Sequence, residues 1–111
     1  MNQNKKRTPL NTRDPRVQEL SQQYNIAPKA VAYIRAAIGS GRYNRNTLIE
    51  HIEYENKGRF EAIERHKTST VFTRQQKEDL IKYTEINIKF RNGVAELLET
   101  MPDNVLSDLL T

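Results

Sequence analysis

Residues 17–35 read VQELSQQYNIAPKAVAYIR, and this stretch decides the fold. The preceding Asp14-Pro15 is typical of a helix start, with Asp as the N-cap and Pro at the first helical position. Apolar residues then recur at helical spacing up to Tyr24, where Asn25-Ile26-Ala27 interrupts the pattern. Pro28 opens a second helical pattern that ends at Gly39-Ser40-Gly41. The sequence therefore predicts two helices joined by a three-residue turn.

The rest of the chain continues the helical pattern. Residues 46–66 combine apolar positions at helical spacing with Glu residues four places before a basic residue, which predicts a long and mostly solvated helix. Thr68–Phe72 is too short to found a sheet and is interpreted as a connector. Thr73 and Gln76 form a capping box that opens another helix, which Asn92-Gly93 should end or kink. Pro102-Asp103 then starts a last short helix, so the predicted fold class is all-α.

Composition excludes several classes of function. The chain has 111 residues, the size of one ordinary domain, and no cysteine, which removes disulfides, cysteine-ligated zinc and a Cys nucleophile. Its apolar runs are far shorter than the roughly 18 residues of a membrane span, so we expect no membrane contact and a cytoplasmic location. His51 and His66 are about 22 Å apart along one helix, too far to share a metal. We expect no enzyme activity, metal or cofactor.

The charge is distributed unevenly along the chain. Lys and Arg number 18 against 14 Asp and Glu, and residues 1–16 alone carry a local charge of +4. Residues 96–111 carry −4, because their acidic groups have no basic counterpart. This gradient favours a polyanion as the partner of the first part and a separate role for the tail. The alternative is that both ends are charged for solubility alone.

Several residues of the opening stretch match the requirements of a particular motif. Ser21 is small where two helices must cross closely, and Asn25 occupies a turn position that requires a left-handed backbone. Apolar groups fill the remaining positions of the pattern, at Leu20, Ile26, Val31 and Ile34. Here the sequence resembles the broad DNA-binding helix-turn-helix family of bacterial and phage regulators, over about 20 of the 111 residues. Ala27 and Asn25 depart from the Ser or Thr cap and the Gly usual in that family.

The resemblance implies that the second helix enters a major groove. Ala32 and Ala36 would allow close approach, while the arm and the loop after the helix would follow phosphates. The residues expected to contact DNA are Lys5, Lys6, Arg7 and Arg13 of the arm, Lys29, Tyr33 and Arg35 of the helix, and Arg42, Tyr43 and Arg45 of the loop. The alternative is that residues 28–38 form a buried, Ala-rich helix of a bundle.

We expect three parts in the chain: a basic flexible arm (1–13), a helix-turn-helix DNA-binding unit (14–67) and a helical oligomerisation segment (73–111). A hydrophobic fraction of 36% leaves a thin core, which a second copy of the chain would complete. The expected oligomer interface consists of Leu80, Ile88, Val94, Leu98, Leu106 and Leu109. The alternative is that these helices fold back onto residues 46–66 and complete a monomeric bundle.

The sequence thus favours a small DNA-binding protein of the transcriptional-regulator type. Its expected partners are double-stranded DNA and a second copy, with the acidic tail open to a protein partner. Two alternatives remain. One is a phage-like DNA-recognition or packaging adaptor, similar to a small terminase subunit. The other is an inhibitor module that binds another protein through its helical faces.

Overall fold

A computed structural model describes residues 10–111, and over that range the protein is all-α, as predicted. Its five helices in this range are α1 (Pro15–Tyr24), α2 (Pro28–Ile38), α3 (Arg45–Thr68), α4 (Arg74–Thr100) and α5 (Asp103–Leu109). None of these helices is both long and apolar enough to cross a membrane. The candidate DNA contacts Lys5, Lys6 and Arg7 lie outside the described residues.

Local capping explains where the helices begin. The Asp14 side chain accepts a hydrogen bond from the backbone N–H of Arg16, and Pro15 follows at the first helical position. Thr73 and Gln76 form the predicted capping box at the start of α4. A second capping box, between Asn44 and Thr47, opens α3. The sequence pattern predicted the first two of these starts, whereas the Asn44–Thr47 capping box was not expected and begins α3 one residue before the predicted range.

The fourth helix does not end at Asn92-Gly93, because α4 continues to Thr100. A glycine inside a helix costs about 1 kcal/mol relative to alanine. Burial of Ile88, Val94 and Leu98 along the same helix outweighs that cost.

Helices α1, α2 and α5 form one compact unit, made of the chain up to Arg42 and of Pro102–Thr111. We call it the three-helix unit. Helix α1 packs against α2, and α5 packs against both. The fully buried side chains of this unit include Leu20, Val31, Ile34 and Leu109. The C-terminal helix therefore completes the core around the predicted helix-turn-helix segment.

Helices α3 and α4 form the second unit, Tyr43–Met101, which we call the hairpin. The short connector at residues 69–73 turns the chain back, so that α4 packs along α3. Leu48, Ile52 and Leu98 are fully buried in this unit. The buried side chain of Asn56 donates a hydrogen bond to Asn92 Oδ1 at 2.9 Å.

This architecture changes two of the expected boundaries. Residues 73–111 do not form one part of the fold, because α4 belongs to the hairpin and α5 to the three-helix unit, and a role of this segment in oligomerisation stays a prediction. Residues 14–67 are likewise divided between the two units. Of the six residues expected at an oligomer interface, four are buried within the chain and two are half-buried: Ile88, Val94, Leu98 and Leu109, then Leu80 and Leu106. Burying these faces inside one chain avoids the entropic cost of association.

Candidate nucleic-acid interface

The turn between α1 and α2 is closed by a compact set of hydrogen bonds. Asn25 adopts the left-handed conformation, with φ 55° and ψ 47°, as its position in the motif predicted. The backbone N–H groups of Asn25 and Ile26 both donate to the carbonyl of Ser21. The Ser21 hydroxyl in turn donates to the carbonyl of Ile26 at 2.5 Å. The small side chain of Ser21 therefore closes the turn as well as permitting a close helix crossing.

One narrow strip of helix α2 is less buried than its other faces. Lys29 and Ala36 are exposed and Tyr33 is half-buried, whereas the other faces of α2 are mostly buried. At about 100° per residue, these three positions lie within about 60° of one another around the helix axis. We call them the α2 strip. Ala32, which we expected beside Ala36 against the DNA, is buried instead.

The segment that precedes α1 lies beside this strip. A shallow cleft of about 280 Å³ is lined by Leu10, Asn11, Asp14 and Val17 on one side and by Ala32, Arg35 and Ala36 on the other. Arg13, within the same segment, is exposed. The described end of the predicted arm therefore reaches α2 next to the α2 strip.

Arg35 and Arg45, both expected to contact DNA, bind backbone carbonyls instead. Arg35 Nη1 donates to the carbonyl oxygens of Leu109 at 2.7 Å and Thr111 at 3.0 Å. Arg45 Nη1 donates to the carbonyl oxygens of Leu98 and Met101, at 2.5 and 2.6 Å. The last carbonyls of a helix lack partners within that helix, and a guanidinium satisfies two of them at once. We therefore leave both arginines out of the candidate interface.

The loop residues occupy different surroundings. Arg42 is exposed and is the last residue of the N-terminal part of the three-helix unit. Its backbone N–H donates a hydrogen bond to the Ser40 hydroxyl at 3.4 Å. Tyr43 belongs to the hairpin, where its ring packs against that of His51 at a centroid distance of 4.8 Å. The three-helix unit thus retains Arg13, Lys29, Tyr33 and Arg42 as candidate DNA contacts.

The contacts that hold α5 in place have no signature in the sequence. Arg16 Nη2 donates to the Asp108 carbonyl at 3.3 Å and to the Thr111 hydroxyl at 2.9 Å. The Tyr24 hydroxyl donates to the Asp108 carboxylate, and this hydrogen bond, with partial burial and the charge of Asp108, raises the pKa of Tyr24. The partners are more than 80 residues apart in the chain, so no local pattern could reveal them.

No family model, curated protein or solved structure matches this chain. The case for a function therefore rests on the geometry of the three-helix unit and on the distribution of charge around it.

Proposed function

We propose that the protein binds duplex DNA through its three-helix unit, as a small DNA-binding regulator. The observation that carries the proposal is the left-handed turn at Asn25, followed by a helix on which Lys29 is exposed at the second position. In DNA-binding helix-turn-helix proteins, the second helix lies in the major groove and its N-terminal residues contact base edges. Lys29 stands at the second position of α2, in the part of the helix that contacts bases in such proteins.

The chemistry of the α2 strip suits phosphate contact better than detailed base recognition. The Lys29 ammonium can bind a guanine edge or a phosphate, and the Tyr33 ring and hydroxyl can contact a thymine methyl or a phosphate. Ala36 adds no bulk, which lets the helix backbone approach the DNA. Because α2 contains no Asn or Gln to pair with adenine, we expect modest discrimination between sequences.

Other basic residues of the three-helix unit would supply further phosphate contacts. Arg13 and Arg42 are exposed on the same unit. Lys5, Lys6 and Arg7 precede Leu10 by three to five residues, and an extended chain of that length spans at most about 18 Å. Since Leu10 lies in the cleft beside Ala36, covalent geometry keeps these three charges within reach of DNA bound to the α2 strip.

The test is the salt dependence of binding to random-sequence duplex DNA, followed by fluorescence anisotropy. Neutralising roughly four to six phosphates predicts a slope of about −4 to −5 for log K against log salt concentration. Lys29→Ala and Arg13→Ala should weaken binding. Lys57→Ala, which removes an exposed lysine of α3 in the hairpin, is the matched control and should leave binding unchanged. Affinity that does not change between about 50 and 200 mM salt would overturn the proposal and favour a protein-binding module.

A further inference from the structure

Helix α4 carries an apolar stripe at the edge of the hairpin core, and two of its four residues are exposed. Tyr83 is 68% exposed and Ile86 is 55% exposed, and Phe90 and Leu97 on the same face are half-buried. Separations of three, four and seven residues place all four within about 60° around the helix axis. We call them the α4 stripe. The buried core residues adjoin the stripe on one side, since Val94 and Leu98 lie about 20° and 60° from Tyr83 around the helix axis and Ile88 lies about 140° from it.

Gly93 lies near the same face, between Phe90 and Leu97. A Cβ atom built on Gly93 would have nothing within 4 Å, so no contact inside the hairpin requires a glycine there. Glycine weakens a helix interior because it loses more backbone freedom on folding than any other residue. The missing side chain leaves space for an approaching group beside the stripe.

We propose that the α4 stripe binds a second copy of this chain, with the two α4 helices antiparallel about a two-fold axis at Phe90. In this arrangement Tyr83 of each copy lies opposite Leu97 of the other. Ile86 lies opposite the Gly93-Val94 step, where the missing side chain leaves room for it, and the two Phe90 rings meet at the axis. The same apolar surface is thus complementary to itself, as a two-fold interface requires.

Charges beside the stripe favour the antiparallel arrangement. Lys82 and Glu96 lie on the same flank of α4, one near each end of the stripe, and Lys89 lies between them. Near the two-fold axis Lys89 faces its counterpart in the second copy, so one repulsive contact opposes two attractive Lys82–Glu96 contacts. In the antiparallel pair, Lys82 of one copy lies beside Glu96 of the other and their charges attract. In a parallel pair in register, the same two groups would be about 21 Å apart along the axis.

This inference does not rest on DNA binding, since the stripe belongs to the hairpin. A stripe about 21 Å long provides an interface at the small end of the range for specific contacts, and we expect dissociation in the micromolar range. Sedimentation equilibrium should therefore show a mass rising from 13.0 kDa towards twice that value as the concentration increases. If the protein stays monomeric at every concentration up to about a hundred times the expected dissociation constant, the proposal is overturned.

A matched pair of variants tests the surface itself. Tyr83→Glu places a charge in the stripe and should weaken self-association about tenfold or more. Tyr54→Glu makes the same change at a 74% exposed tyrosine on α3, outside the stripe, and should leave association unchanged. Circular dichroism checks that both variants keep their helices. Equal weakening by the two variants would overturn the assignment to the stripe.

Single cysteines test the direction of the helices, because the chain has no cysteine of its own. A mixture of Tyr83→Cys and Leu97→Cys should form a disulfide between the two variants under mild oxidation. Tyr83→Cys alone should not, because two copies of residue 83 would be about 21 Å apart along the axis, beyond the reach of a disulfide. Efficient self-crosslinking of Tyr83→Cys would overturn the antiparallel arrangement.

Discussion

Asn25 sets the geometry of the joint between α1 and α2. Its backbone is left-handed, a conformation that most L-residues avoid because Cβ approaches the following carbonyl oxygen. Asn tolerates this conformation better than other residues with side chains, since its short polar group can bond locally. The direction of α2, and with it the position of Lys29 and Tyr33, therefore depends on one residue type.

At the residue scale, we expect Asn25→Val to lower the free energy of unfolding by about 1–2 kcal/mol, since a β-branched residue is strained in this conformation. Asn25→Gly should be nearly neutral, because Gly adopts positive φ without a steric cost. Urea denaturation measures both. Gln22→Val, at an exposed helical position of α1, controls for helix propensity and should cost less than about 0.7 kcal/mol. Equal losses for the two valine variants would contradict this role of Asn25.

At the element scale, replacing two glycines in helical backbone by alanine should change the free energy of unfolding in opposite directions. Gly58 lies in the middle of α3, and a Cβ atom there would have nothing within 4 Å. We expect Gly58→Ala to raise the free energy of unfolding by about 0.5–1 kcal/mol, because alanine loses less backbone entropy on folding.

Gly39, just after α2, provides the matched comparison. A Cβ atom at Gly39 would lie 2.3 Å from the carbonyl oxygen of Arg35, so that the backbone must shift to admit it. Gly39→Ala should therefore lower the free energy of unfolding by about 1 kcal/mol or more. Thermal or urea unfolding of both variants gives the comparison, and stabilisation by Gly39→Ala would show that the end of α2 is not packed as described.

At the scale of the whole molecule, the division into two units predicts where a core mutation acts. Leu109 is fully buried in the three-helix unit. Leu109→Ala should lower the free energy of unfolding of that unit by about 2–5 kcal/mol. Hydrogen exchange should then accelerate in α1 and α2 and remain unchanged in α3 and α4. Leu98→Ala, an equally buried leucine of the hairpin, should give the reverse pattern. Accelerated exchange throughout the chain in both variants would show one cooperative unit instead.

The sequence by itself determined the five helices over residues 10–111 and most of their starts. Asp14-Pro15, Pro28 and the Thr73-Gln76 capping box act on backbone groups within four residues, so they can be recognised in a linear pattern. The left-handed turn at Asn25 belongs to the same class, because its conformation follows from one residue type at one position. The helix-turn-helix resemblance also predicted the exposure of Lys29 and Ala36 on α2, but it grouped them with Ala32, which is buried, and with Arg35, which binds backbone carbonyls.

Only the tertiary structure decided which helices pack together and which charged groups hold the fold. Arg35 was predicted to face DNA, but its carbonyl partner Leu109 is 74 residues away. Arg45 binds the end of α4 in the same way, 53 residues from Leu98. The apolar face of a helix can be predicted from its own residues. The helix that packs against this face depends on how the connecting segments direct the chain. Burial is a property of two surfaces in contact, and a sequence pattern describes each surface alone.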